Sequence, residues 1–315
     1  MSKLIKNRPV FDVSPGVQVF ISLVVVFVSF VGIMLAGLVL AMALFQSDMT
    51  SLATGSEFIY SSENLGLIKY LQIVQSIALF VVPPFIIALL LSKSVSRYLN
   101  IDFSPNKHLV IYTILAMLAA IPVINFFAEI NSWLSLPEWL SGVEEWMREK
   151  EDQAMELTKL FLAADNLQAL LLNIFMIGFL PAVGEELLFR GILQKQFTLW
   201  FKSHHLGILI SAILFSALHL QFYGFLPRTM LGVLFGYMLV WSGSLWIPII
   251  GHFVNNTTIV IISYFTELNV IDPGIEEVGS TKTGIGYFFL AALVFIPVLW
   301  MFYKRSSQVN PRKLS

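Results

Sequence analysis

Pro181-Ala182-Val183-Gly184-Glu185-Glu186-Leu187-Leu188-Phe189-Arg190 sets two adjacent carboxylates and a guanidinium inside an apolar run that begins at Leu167 and continues past Arg190. Each ionised group at mid-bilayer costs ~2.5–3.5 kcal/mol on insertion scales. Three together burden insertion unless they pair or line a polar cavity. On a helix Glu186 and Arg190 stand four apart and share a face. Glu185 then turns about 100° away from that pair. One carboxylate reads as structural and the other as available for chemistry. The plain alternative is a buried ion pair beside a snorkelling glutamate.

The rest of the chain makes this run a membrane segment. Of its 315 residues 57% are hydrophobic and 12% charged, whereas soluble domains average about 25% charged. That is too little polar surface to cover a soluble globule of this size. The expected fold is all-α: a polytopic transmembrane bundle with kinked helices around an intramembrane polar site. A net charge of -1 gives no case for nucleic acid. The absence of cysteine removes disulfides, thiolate catalysis and cysteine metal sites.

Apolar runs long enough to cross about 30 Å of hydrocarbon fall near 17–45, 67–92, 108–130, 167–200, 205–225, 228–241, 245–266 and 284–303. That makes eight spans, or seven if the short sixth is no span. The layout is a tail over 1–16, a membrane domain over 17–303 and a tail over 304–315. Ala41-Met42-Ala43 mimics a signal-peptidase site, but a signal core is about 7–15 residues and this one is far longer. It reads as a retained first span.

Charge placement orients the bundle. With the N-terminus inside, the inner segments hold Lys3, Lys6, Arg8, Lys93, Arg97, Lys107, Lys195, Lys202, Lys304, Arg305, Arg312 and Lys313. The outer ones hold Lys69, Arg148, Lys150, Lys159, Arg228 and Lys282, and Arg190 stays in the membrane. The bias puts both termini in the cytoplasm. The acidic outer loops, with Asp48, Glu57 and Glu63 first and Asp272, Glu276 and Glu277 last, are consistent with it. Residues 136–162 differ: Trp139, Val143 and Trp146 at helical spacing among acidic and basic residues suggest an amphipathic helix at the outer interface. It is either an anchor or a lid. Gly232-Val233-Leu234-Phe235-Gly236 is a GxxxG pattern that reads as packing within the chain.

Polar groups recur at one depth in three spans. His219 lies deep in the fifth, and His252 and Asn256, four apart on one face, lie in the seventh; Asn255 turns away from that face. A single membrane histidine commonly bridges helices. Several polar positions at the depth of the two glutamates point instead to a site. Pro181 and Pro248 fall just before site residues, and a proline frees a carbonyl and bends its helix. The inventory suits hydrolysis. A glutamate in an apolar cavity can take a proton from water. A histidine and an amide can donate to a tetrahedral oxyanion. No serine or threonine is placed as nucleophile, and no HExxH motif occurs. Zinc held by His219, His252 and Glu185 is left open. His108, His204 and His205 read as solvated at cytoplasmic ends.

These motifs resemble the CPBP family of intramembrane proteases, also called the Abi or type II CAAX prenyl endopeptidase family. Its EExxxR appears as Glu185 to Arg190, its FxxxH as Phe215 to His219 and its HxxxN as His252 to Asn256, in order and on separate spans. The motif-bearing core covers 167–266. The resemblance implies a glutamate-dependent endopeptidase in which Glu185 and His219 activate water. His252 and Asn256 would form the oxyanion hole, and Glu186, Arg190 and Phe215 would orient the site. It implies no required cofactor, membrane lipid and a peptide or membrane-protein substrate as partners, and a bacterial inner membrane as location. The competing readings are a non-catalytic regulator or bacteriocin self-immunity protein of the same fold, and a transporter with a Glu185–His219 proton relay. The absence of an evident inverted repeat weighs against the transporter.

Overall fold

The computed structural model describes residues 13–45 and 64–310. Lys3, Lys6, Arg8, Asp48, Glu57, Glu63, Arg312 and Lys313, part of the charge-placement reading, lie outside the described residues. Within them the chain is helical, with no strand. Helix α1, Pro15–Phe45, has 31 residues and so extends about 46 Å. Phe20, Leu23, Phe27 and Val28 stand exposed on its outer side, as lipid-facing residues do. Helices α2 (Leu65–Leu91), α3 (Val95–Tyr98) and α4 (Lys107–Ser132) follow. After the 3-10 turn Glu138–Leu140 come α5 (Ser141–Leu162), α6 (Leu167–Phe201) and α7 (His204–Ala217). The last three are α8 (Phe225–Ser242), α9 (Trp246–Glu267) and α10 (Gly286–Val309).

Side-chain caps start several of these helices. Asn106, Asn166 and Ser203 accept from the backbone N–H groups of His108, Ala169 and Leu206, donors a helix cannot satisfy internally. Gly243 ends α8 at φ 72, a conformation that costs glycine least.

Seven helices are long and apolar enough to cross a membrane among the described residues, and the chain is a polytopic helical bundle. The eight-span count is corrected at its fifth member. The run over 205–225 folds as α7, only 14 residues, or about 21 Å. The chain leaves the helix at Leu218 and turns through Leu220 at φ 52. A 3-10 turn, Phe222–Gly224, then leads into α8. The short sixth run lengthens accordingly to Phe222–Ser242. Hydropathy does not register a backbone reversal inside an apolar stretch.

Helix α6 is the hub. It contacts α2, α7, α8, α9 and α1, while α4 packs against α8, α9 and α10. Two widened, π-helical stretches interrupt it, Ile174–Phe179 and Leu187–Leu193, on either side of the two glutamates. A third, Ile77–Val81, lies in α2 just before Pro83-Pro84. Such widened turns occur often at functional sites. At Gly184 α2 comes so near that a Cβ would lie 2.8 Å from Phe80 Cβ. The GxxxG glycines pack within the chain, as their sequence suggests. A Cβ on Gly232 would meet Ala212 of α7 at 2.9 Å, and one on Gly236 would meet Ile208 at 2.7 Å.

Two cations assigned to outer segments belong inside the bundle. Lys69 is 5% exposed and donates from Nζ to Asn173 Oδ1 at 2.8 Å. Arg228 lies in the first turn of α8, half-buried. Both side chains are long enough to carry their charge to a polar partner, so their sequence position misstates their place.

Candidate active site

Glu186 is the most buried member of the cluster, with no exposed surface, and Arg190 is 1% exposed. Their ion pair closes at 2.8 Å, from Arg190 Nη1 to Glu186 Oε1. The same oxygen meets His252 Nδ1 at 2.9 Å. The far side of that ring then faces the other glutamate, with His252 Nε2 3.9 Å from Glu185 Oε2. Glu186 thus clasps both a guanidinium and an imidazole. Glu185 stands apart from Arg190, as the hundred-degree turn between neighbours requires.

Phe215 explains why an aromatic precedes His219 by four. Arg190 lies 4.6 Å over its ring, and both histidines meet it near right angles, His219 at 5.1 Å and His252 at 5.9 Å. Phe235 stacks on the other side of His252 at 5.5 Å. The rings fix the imidazole plane and shield the ion pair. His219 is exposed on the surface of the bundle, and its Nδ1 meets Phe215 O at 2.8 Å. A carbonyl only accepts, so Nδ1 carries the proton and the neutral ring keeps its lone pair on Nε2.

Asn256 is partly committed. Its Nδ2 donates to Ile177 O at 3.0 Å, and its Oδ1 accepts from Asn255 Nδ2 at 3.1 Å. Asn256 Nδ2 retains a second hydrogen. Among the described residues no three of His, Asp and Glu gather closely enough to hold a metal ion. His219, His252 and Glu185 form no such group. Of the solvated histidines, His205 is exposed and its Nδ1 meets Tyr237 Oη at 2.6 Å.

Three further contributors surround the site: Asn131 carries no sequence signal, residues 136–162 are expected as an anchor or a lid, and Arg228 is assigned by sequence to an outer segment. The loop after His219 is tied down by Asn131 of α4, which donates to Phe222 O and accepts from Leu226 N, each at 2.8 Å. Helix α5 reaches the same loop. Glu151 accepts from Tyr223 N at 3.1 Å, Arg148 sits 5.2 Å over the Tyr223 ring, and Trp146 packs on Phe222. On the exposed face of α5 the hydrogen bond from Arg148, joined by that from Leu136 N, holds the Glu144 carboxyl below its ordinary range. Arg228 is the third, its charge acting on both Glu185 and His219. Its position four before Gly232 was the available signal.

Residues 167–258 match the family described as Type II CAAX prenyl endopeptidase Rce1-like. The stretch covers all three motifs. A protein of Bacillus subtilis (strain 168), named only as the uncharacterized protein YpbD, is 33% identical over 86 residues. That similarity covers 26% of this chain and 41% of the other, so the chain spans well under half of that relative's length. No solved structure matches the chain.

Proposed function

Taking the Rce1-like segment over 167–258 as premise, we propose that this multi-pass membrane protein is an intramembrane endopeptidase of the bacterial CPBP/Abi type. One observation carries the reading. Glu186 fixes one nitrogen of His252 and leaves the other facing Glu185, so one carboxylate orients while its neighbour is free for proton transfer. Water bound between Glu185 and His219 Nε2 gives its proton to Glu185 as its oxygen attacks the peptide carbonyl carbon. The oxyanion receives hydrogen bonds from His252 Nε2, the ring being held at Nδ1 by Glu186, and from the second hydrogen of Asn256 Nδ2. Glu185 then passes its proton to the leaving nitrogen as the carbon–nitrogen bond breaks. No cofactor takes part. The substrate is a peptide or membrane protein met within or at the edge of the lipid, in a bacterial inner membrane.

Glu185→Gln keeps the shape of the side chain and loses its basicity. Cleavage of a peptide mixture by the purified protein should fall by about 10²–10⁴, the usual contribution of a general base, with the melting point in detergent retained. Near-normal turnover would remove Glu185 from the role.

A further inference from the structure

Helices α6 and α8 run parallel in a fixed register. Arg190 Nη2 donates to Gly232 O and Gln194 Nε2 to Gly236 O, each at 3.2 Å and each 42 residues apart. One turn earlier on both helices the same offset sets Arg228 opposite Glu186, at the level of the site. The guanidinium is held rather than loose. Nη1 donates to Gln221 O at 3.2 Å and Nη2 to Gln221 Oε1 at 2.8 Å, and Gln221 is two residues past His219. Among the described residues no carboxylate lies within ion-pair distance of Arg228. Glu151 of α5 and Glu185 act on it only at longer range.

A half-buried guanidinium, fixed by two hydrogen bonds to a neutral residue and keeping further N–H donors, is built to take an anion. Arginine 190 is already satisfied by Glu186; Arg228 is not. We propose that Arg228 is a substrate-positioning residue that binds a carboxylate of the substrate close to the bond being cut. The inference rests on the endopeptidase reading. It adds a specificity: the favoured substrate carries a carboxylate near the scissile bond, supplied by an acidic side chain or by a free chain end. Arg228 takes no part in the bond-making step, so its loss weakens binding more than turnover.

The experiment uses synthetic peptides in matched forms, with Glu or Gln on either side of the mapped cleavage point and with a free or amidated C-terminus. Wild type should prefer carboxylate forms by about tenfold or more in kcat/KM, the size expected of a charge-assisted bond. The glutamate arm and the amidated arm separate the two sources. Arg228→Gln should erase that preference, mainly through KM, Arg228→Lys should keep part of it, and both should melt close to wild type. Equal cleavage of all forms by wild type, or a preference surviving Arg228→Gln, would overturn the inference while leaving the endopeptidase intact. Should nothing be cleaved, the endopeptidase reading fails. Binding of the same fluorescent peptides to the Glu185→Gln protein, with and without Arg228→Gln, then decides the carboxylate site alone. Tighter binding of carboxylate forms that depends on Arg228 sustains it, and equal binding ends it.

Discussion

The side-chain amide of Asn256 donates to the backbone carbonyl of Ile177 at 3.0 Å, and Ile177 stands four residues before Pro181. Proline has no N–H to return to that carbonyl. A residue of α9 supplies a donor that Pro181 cannot, so the stretch before the two glutamates is tied to the neighbouring helix. This ties the third motif to the first through the backbone, beside any role at the oxyanion.

The bond predicts a double-mutant cycle. Asn256→Ala leaves a part-buried carbonyl short of a donor and should cost about 1 kcal/mol of stability. In a Pro181→Ala background the restored N–H can serve Ile177, and the cost of Asn256→Ala should shrink by at least half. Activity behaves differently. If the second hydrogen of Asn256 Nδ2 meets the oxyanion, Asn256→Ala lowers kcat by about 10²–10³ in either background. Thermal melts and single-turnover rates on the four proteins separate the two roles. Additive melting losses would break the Ile177 argument.

The Glu186 clasp predicts that stability and activity can be uncoupled. Arg190→Leu or Glu186→Gln breaks a buried pair from one side and should cost about 3–5 kcal/mol. Replacing both, as Glu186→Gln with Arg190→Met, removes the unpaired charge and should restore much of the melting point. Activity should stay low, because His252 Nδ1 loses its carboxylate. A double variant regaining both would make the pair purely structural.

The sequence was legible where charge sits against an apolar background. Glu186 and Arg190 pair as their spacing requires, and the glycines at 232 and 236 pack within the chain as that pattern suggests. His252 and the two glutamates gather because burying each alone in lipid is costly, and Phe215 meets both histidine rings beside them. Less legible were features set by backbone path. The end of α7 at Ala217, the widened turns around the glutamates and the 42-residue register that brings Arg228 to the site leave no mark in hydropathy. Arg228 and Lys69 misled for one reason: a long side chain near a span end can point inward as readily as outward.

Lys69 and Asn173 should respond unequally to loss of one partner. The ammonium is buried with Asn173 Oδ1 as its hydrogen-bond acceptor, and Asn173 Nδ2 also holds Leu162 O at 3.0 Å, at the end of α5. Lys69→Met removes a charge that is costly to bury and should change the melting point little or raise it. Asn173→Leu strands the ammonium and releases the α5 end, and should cost about 3 kcal/mol or more. The measurement is heat-induced aggregation in detergent. Equal losses would mean that the pair acts as an ordinary hydrogen bond.

The last prediction concerns metal and turns on His219. Its Nδ1 is committed to Phe215 O, which leaves Nε2 as the nitrogen able to accept. That nitrogen can take a hydrogen bond from water, or it can bind a metal. A catalytic zinc site needs three protein ligands and an open position. No such trio gathers among the described residues, His252 Nδ1 is occupied by Glu186, and an amide such as Asn256 is a poor zinc ligand. Enzyme stripped with a chelator and dialysed should therefore keep full activity, and added zinc should not raise it. In the same stripped preparation His219→Gln should lose about 10²-fold of its rate, because the amide does not place its acceptor where the imidazole Nε2 holds the attacking water. Loss of activity on stripping, with recovery at stoichiometric zinc, would replace the glutamate–water mechanism with a metal-bound one. A fully active His219→Gln would leave Glu185 to act on the water alone.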